Sequence, residues 1–339
     1  MGDKSKIEWT DATWNPVAGC SIVSPGCHHC YAMRAAHRLA AMGQAKYAGT
    51  TKIVDGRALW TGQINVDPVA LRAPLRWAKP RRVFVNSMSD LFHTALCAPD
   101  IADIFAIMAL TPQLTYQVLT KCARRMANLL TDPEFRRVVA RYQRKFFRDA
   151  ATGPGDIDWP LPNVWLGVSC EDQQRADERI PHLLVAPAAV RFVSAEPLLG
   201  PIELARSAQR GMRSDPDEFS SALRDPRSAL ALDWVIVGGE SGPGARPMHP
   251  DWARGIRDQC VAAGVPFFFK QWGEWAAAPT MDPHLRSSSL QYVHDGDSAA
   301  RMICLGKKAA GRLLDGREWD EFPGSAELAA RSAERGTGP

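Results

Sequence analysis

The sequence predicts an α/β fold built on a parallel sheet, on three observations. Short apolar, β-branched or aromatic runs recur along the 339 residues, most gaps between them have room for a helix and its loops, and several gaps carry helical periodicity. The runs are RVFV at 82–85, YQVL at 116–119, VWLGV at 164–168, VRFV at 190–193, WVIV at 234–237 and VPFFF at 265–269. They start 34, 48, 26, 44 and 31 residues apart. Parallel neighbours need such crossovers, and strands covered on both faces read as continuous apolar runs. The segment from Ile7 to Trp14 supplies a first strand.

The intervening helices follow in order. In APDIADIFAIMAL, Pro99 suits a first turn, and Ile101, Ile104, Phe105 and Met108 fall at i, i+3, i+4 and i+7. PEFRRVVARYQRKFFRD repeats the pattern with Phe135, Val138, Val139, Tyr142 and Phe146. In HPDWARGIRDQCVAAG, Pro250 opens a helix, Trp252, Ile256 and Cys260 share its apolar face, and Gly264 caps it. The alternation argues for a parallel α/β sheet without saying whether that sheet closes into a barrel. Polar stretches at 151–162 and 204–232 read as excursions on the rim rather than linkers. Beyond Trp275 the pattern changes: HDGD, LGKK and LLDGREW read as turns between short strands, with Asp315-Gly316 a hairpin signal. The expected organisation is a main α/β domain over 1–275, with the cysteine-bearing loop at 20–30, a β-rich extension over 276–324 and a small, polar, frayed tail over 325–339.

Hydrophobic residues make up 45% and charged residues 23%, which excludes a fully disordered chain. No apolar run approaches the roughly 20 residues of a membrane helix. The start, MGDKSKIEW, lacks the apolar stretch of a secretory signal, and Lys6 stands where a myristoylation motif wants Ser or Thr. A soluble, cytoplasmic protein is expected. Net charge is only +4, but residues 121–148 hold nine Lys or Arg against Asp132 and Glu134.

Eight cysteines are too few for a small disulfide scaffold. Five are scattered singly, whereas Cys20, Cys27 and Cys30 sit in GCSIVSPGCHHCYA at C-x6-C-x2-C spacing. Two cysteines two residues apart have metal-ligand spacing, and the Ser24-Pro25-Gly26 turn lets Cys20 fold back to the same centre. Three thiolates on a four-iron cluster leave one iron open for a substrate or cofactor. Zinc is the alternative, with His28 or His29 as fourth ligand, although both lie inside the two-residue loop and a second CxxC knuckle is absent. Unliganded thiols are a third possibility.

A loop of this kind after a first strand and before a helix, followed by βα units, resembles the radical S-adenosylmethionine (SAM) superfamily. More closely, GCSIVSPGCHHCYA, NSMSDLF, LTKCARRM, VSCED, SAEPLL, VGGESG, FFFKQWGE and GKKAAGRLLDGREW resemble a phage-associated family, the three-Cys-motif phage proteins, from Ile7 to Pro323. Its spacing departs from the superfamily's commonest C-x3-C-x2-C. The resemblance implies a partial (β/α)6 TIM-type barrel with a small C-terminal β-rich extension. It further implies a [4Fe-4S] cluster on Cys20, Cys27 and Cys30, which binds the methionyl end of SAM. A low-potential electron donor would drive SAM cleavage, and the resulting radical would abstract hydrogen from a substrate.

Ligands of parallel α/β folds bind at the carboxyl ends of strands. Each of the six runs ends in small, polar or charged residues, which points to one polar rim. By the resemblance, Ser87, Ser89 and Asp90 face the SAM methionyl amine; an N-cap role is the alternative for Asp90. Gly238 and Gly239 let backbone approach a nucleoside, or form a plain tight turn, and Glu240 follows them. Ser169 and Glu196 meet ribose hydroxyls, with a helix-start carboxylate the alternative for Glu196. Lys121 meets a carboxylate or phosphate. Cys122 and Cys170 stand just past strand ends, where a thiol can return a hydrogen atom to a substrate radical; each can equally be an ordinary buried cysteine.

Arg137, Arg141, Arg144, Lys145 and Arg148 lie off the apolar stripe of their helix. They are candidates for a DNA- or RNA-binding face, and some of the 11 Trp can stack on unpaired bases. The plain alternative is a solvated face. The reading is a radical SAM enzyme that modifies or repairs nucleic acid. The alternatives are a zinc-stabilised nucleic-acid-binding phage protein without turnover and a degenerate barrel kept only as a scaffold, against which the polar rim argues.

Overall fold

The computed structural model describes residues 5–146, 157–212, 231–277 and 290–324. Its strands are β1 (Ala12–Trp14), β2 (Val17–Ala18), β3 (Thr51–Val54), β4 (Arg57–Trp60), β5 (Asn65–Val66), β6 (Arg81–Val85), β7 (Leu114–Thr120), β8 (Val164–Ser169), β9 (Val190–Ala195), β10 (Trp234–Gly238), β11 (Phe267–Gln271), β12 (Trp275–Ala277), β13 (Leu290–Asp295) and β14 (Ser298–Cys304). The helices are α1 (Tyr31–Ala41), α2 (Pro68–Leu71), α3 (Ala98–Ala109), α4 (Ala123–Thr131), α5 (Pro133–Phe146), α6 (Gln173–Val185), α7 (Leu204–Met212), α8 (Pro250–Ala263) and α9 (Lys307–Ala310). The fold is mixed α/β, with a parallel sheet of strand order β1-β6-β7-β8-β9-β10-β11. The first-strand segment and all six apolar runs supply its strands.

The chain divides into two compact units. The first comprises Met1–Val23, Cys30–Val168 and Val185–Arg191. In it, β1, β6, β7 and β8 pair in parallel, with Trp14 opposite Val85, Val85 opposite Val118 and Thr120 opposite Val168. All six residues of β8 are buried, as a strand covered on both faces requires. The apolar stripes predicted for α3 and α5 meet, the ring of Phe105 lying edge-on to Phe135 at 5.8 Å. Ala32, Met33 and Ala36 of α1 form a smaller core with Tyr47, Trp60 and Met88.

The second unit comprises Ser24–His29, Ser169–Leu184 and Phe192–Pro339. Here β9, β10 and β11 run parallel, with Val237 opposite Ala195 and Phe269 and a register shift just before Gly238. Trp234 packs against Phe192, Phe268 and Phe322. Gly264 ends α8 in the left-handed conformation at φ 64°, as its position in the sequence suggests. The β-rich stretch is a three-stranded antiparallel sheet, β12-β14-β13. Asp315 and Gly316 both have positive φ, and Leu314 and Arg317 exchange backbone hydrogen bonds across them, the geometry of a tight hairpin turn. LGKK departs from expectation: it opens the short helix α9 instead of joining strands, because Gly306 at φ 83° turns the chain while its N–H bonds the carbonyl of Glu274. The polar stretch from 204 begins with α7. The frayed tail expected over 325–339 lies outside the described residues.

Candidate functional site

In the first unit the predicted residues after β6 and β7 lie in a hydrogen-bonded knot. Asn15 Oδ1 accepts from the Ser87 hydroxyl and the Met88 N–H, both at 3.1 Å. The Ser89 hydroxyl donates to the carbonyl of Val17, and the Tyr31 hydroxyl donates to that of Ser87. Asp90 is buried and accepts from the Thr120 hydroxyl at 2.6 Å, the Phe92 N–H at 2.9 Å and the Lys121 N–H at 2.8 Å. Its carboxylate therefore fastens the end of β6 to the end of β7. Cys122 sits half-buried at the start of α4, its N–H bonded to Thr120.

Asn86, the first residue beyond β6, was given no role by its position in the sequence. It has φ 60°, is 2% exposed, and neither amide atom has a partner among the described residues. Asn tolerates the left-handed region better than most residues. A buried amide left unpaired costs about 1–3 kcal/mol.

Next to Cys20, Ser21 meets His93 Nε2 at 2.9 Å. His93 Nδ1 accepts from the Ala95 N–H, so the ring proton is on Nε2 and points to Ser21. Burial holds the His93 pKa below its ordinary value, with Arg125 adding to that shift and Asp90 opposing it, so the ring is neutral at pH 7.

In the second unit two carboxylates hold the segment between the cysteines. Glu171, just past β8 and fully buried, accepts from the Ser24 hydroxyl and from the Gly26 N–H at 3.2 Å. Its other oxygen accepts from Arg179 at 2.8 Å, and the same guanidinium nitrogen donates to the carbonyl of Ser169 at 2.6 Å. A Cβ on residue 26 would stand 2.9 Å from Glu171 Oε1, so glycine fits there. Glu240, just past β10, takes three bonds from Arg246: backbone N–H at 2.8 Å, Nε at 2.8 Å and the terminal nitrogen at 2.5 Å. Arg246 also donates to the carbonyl of Pro25 at 3.0 Å, and His29 Nδ1 lies 3.0 Å from Glu240. Burial pushes the Glu240 carboxyl up, but the bonds from Arg246 and His29 outweigh it and hold the pKa below the usual carboxylate value.

Glu196 pairs with Lys270 at 2.6 Å, and a Cβ on Gly238 would come within 3.2 Å of that carboxyl carbon. Gly239 has another reason to be glycine: a Cβ there would lie 2.0 Å from the carbonyl oxygen of Trp272. Cys170 is fully buried, its N–H on Ser194 and its thiol on the carbonyl of Arg175. Sequence reasoning missed Glu171, Arg179, His29 and Arg246 as a group. The signals present were that Glu171 follows a strand and that His29 lies in the cysteine motif, where it was read only as an alternative zinc ligand; Arg179 and Arg246 carried none.

No disulfide joins any of the eight cysteines. Cys27 is buried with its sulfur 3.8 Å from the Ser24 hydroxyl, whereas Cys20 and Cys30 flank the α1 core. Among the described residues no three His, Cys, Asp or Glu side chains are gathered as around a metal ion. The donor set nevertheless fits a thiolate-bound metal in its chemistry, as three unbridged thiols on one eleven-residue loop.

On α5, Arg137, Arg141, Arg144 and Lys145 are exposed, as expected; Arg148 lies outside the described residues. Lys145 pairs with Asp103 at 2.8 Å and Arg137 with Glu134 at 3.1 Å. A groove of about 750 Å³ beside α5 is lined by Arg136, Arg137, Asp158 and Trp159 among others. The Trp159 indole packs on Phe105 and Phe135 and donates to the Leu130 carbonyl. No helix among the described residues is long and apolar enough to cross a membrane.

Residues 4–323 match the model of a family described as "Protein of unknown function (DUF5131)". The chain belongs to that family. No curated protein matches it. A solved structure titled "Spore photoproduct lyase complexed with dinucleoside spore photoproduct" is similar over 85% of this chain and 66% of that one, at 12% identity and a TM-score of 0.33. The chain thus spans about two thirds of that structure's length.

Proposed function

We propose that this member of the family is a cytoplasmic radical SAM enzyme that acts on DNA or RNA, on a partial (β/α)6 barrel over 1–275 with an extension over 276–324. One observation carries the reading: the segment between the cysteines is held by carboxylates just past two parallel strands, Glu171 after β8 through the Gly26 N–H and Glu240 after β10 through the His29 ring, with Arg246 on the Pro25 carbonyl. Strand carboxyl ends are where parallel α/β folds bind ligands.

In this reading Cys20, Cys27 and Cys30 hold a [4Fe-4S] cluster. Bound together, cluster and SAM supply a radical able to abstract hydrogen, with the electron coming from a low-potential donor. The protein's own contribution is to hold and to exclude. Ser87, Ser89 and Asp90 form a turn for the methionyl end, kept in shape by Asn15 and Thr120. Ser169 and Glu196 take ribose hydroxyls, Gly238 leaves room for the Glu196 side chain, and Gly239 and Glu240 frame the turn beside it. Lys121 meets an anionic group. Of the two candidate hydrogen donors, Cys122 is the accessible one; Cys170 is enclosed and its thiol is engaged. Arg137, Arg141, Arg144, Lys145 and Arg148 bind phosphates of the substrate.

The test is anaerobic reconstitution with iron and sulfide, then dithionite and SAM, with 5′-deoxyadenosine as readout. Formation of 5′-deoxyadenosine by the native chain and its loss in Cys27→Ala is the expected result; a Cys27→Ala protein that still forms it refutes the assignment. Charge reversal of Arg141 and Arg144 to Glu should weaken oligonucleotide binding and its salt dependence while uncoupled SAM cleavage stays unchanged. One observation favours a second reading, a zinc-stabilised nucleic-acid-binding protein without turnover. A carboxylate on His29 Nδ1 is the arrangement that orients a zinc-bound imidazole through its other nitrogen. A colourless, air-stable protein holding zinc and no iron would establish it.

A further inference from the structure

The segment Ser24–His29 is short, polar in its bonding and placed between two proposed ligands, yet its bonds do not need a metal. Pro25 O, Gly26 N–H, the Ser24 hydroxyl and the His29 ring each have a partner supplied from far along the sequence. Those partners come as two matched acid–arginine pairs. Glu171 is fully buried and Arg179 nearly so; Glu240 is 5% exposed and Arg246 half-buried. Neither arginine is spent on its carboxylate alone, since Arg179 also holds the end of β8 through the Ser169 carbonyl and Arg246 also holds Pro25. Within the segment, Cys27 N–H bonds the Ser24 carbonyl at 2.9 Å and His28 N–H the Pro25 carbonyl at 3.2 Å, a single tight turn that carries Cys27.

We propose that Arg246 and Glu240, together with Arg179 and Glu171, are positioning residues that set this turn before any metal arrives, so that the chain binds metal without first paying the entropy of ordering the loop. This rests on the assignment of Cys27 and Cys30 as metal ligands. A flexible loop would have to order its backbone on binding, which weakens affinity; a preset one does not. Partners outside the ligand shell commonly change metal affinity by about 10–100-fold.

Hydrogen exchange on the metal-free full chain tests the first half directly. The amides of residues 26–28 should be protected in the native chain and lose protection in Arg246→Met, while the amides of β10 keep theirs. Release of iron from the reconstituted protein to a chelator tests the second half. It should be faster by about tenfold or more in Arg246→Met and intermediate in Arg246→Lys, which keeps the charge but not the fork. Ser24→Ala removes only the hydroxyl bonded to Glu171. It probes the other pair without exposing a buried charge and should act in the same direction. Unprotected amides in the metal-free native chain would overturn the proposal. So would unchanged iron release in variants whose turn has lost protection, since the bonds would then serve the fold alone. If the native chain takes up zinc and no iron, the radical SAM reading falls, and the same release comparison made with zinc decides the positioning role by itself.

Discussion

Asp90 and Glu171 are both carboxylates buried just beyond a parallel strand, one in each unit, and they are used differently. Asp90 accepts from a hydroxyl and two backbone N–H groups, none of them charged, and all within about thirty residues. It turns the chain after β6 and ties that turn to the next strand. Glu171 is matched with an arginine on the following helix and reaches back to Ser24 and Gly26, about 147 residues earlier in the chain. In the local turn the carboxylate is compensated by neutral donors, whereas the carboxylate that holds a segment recruited from far away has a counter-charge of its own. The physical reason is that burying a carboxylate is costly unless several donors or a cation compensate it. Asp90 has the donors of its own neighbourhood, and Glu171 has Arg179.

The largest expected effect comes from breaking the charged arrangement. Arg179→Met should destabilise the protein by about 3–5 kcal/mol, because it leaves Glu171 buried without its cation. Urea unfolding measures it, and a loss below about 1 kcal/mol would show that Glu171 does not depend on that pair. Asp90→Ala should cost less, about 1–3 kcal/mol, by leaving the buried Thr120 hydroxyl and two backbone amides, that of Phe92 buried and that of Lys121 half-buried, without an acceptor. The same assay should rank the two in that order; the reverse order would contradict the distinction between them.

A smaller effect sharpens the comparison through pH. The folded pKa of Glu240 lies below the unfolded value of about 4.3. Its bonds to Arg246 therefore add stability that is fully present above that value and disappears as pH falls through the lowered folded value. The stability gap between the native chain and Arg246→Met should narrow between pH 6 and pH 3; a gap that stays constant would mean that Glu240 is not held by Arg246 in solution. The smallest effect belongs to Arg137→Ala. Its pair with Glu134 is largely exposed on both sides, and such pairs contribute little. The urea midpoint should be unchanged, which makes this the control for charge removal as such.

Much of the fold was legible in the sequence, because strand and helix formation are local. VWLGV, WVIV and VPFFF are continuous apolar runs, and buried parallel strands need that. Gly264 and Asp315-Gly316 sit at turns that favour positive φ. The cysteine spacing was equally local, as was the polar character of the strand ends. The reach of the polar strand ends was not. Gly239 reads as a flexible approach point for a ligand, and only the folded chain brings the Trp272 carbonyl against it. Asn86 reads as one of four polar residues among the five that follow its strand, and only burial leaves both its amide atoms unpaired among the described residues.

The sequence by itself determined that this is a parallel α/β protein with three thiols on one loop and a basic helix, since each of those properties is carried by neighbouring residues. Tertiary structure alone decided that Glu171, with Arg179 as its counter-charge, and Glu240 with Arg246 hold the segment between Cys20 and Cys30. The bonds from Glu171, Glu240 and Arg246 to that segment span 145 to 221 residues, and no periodicity or motif spans such distances. The choice of partner for a buried charge is made by whatever the chain brings within about three ångströms, and that is known only once strands β8 and β10 have found their places.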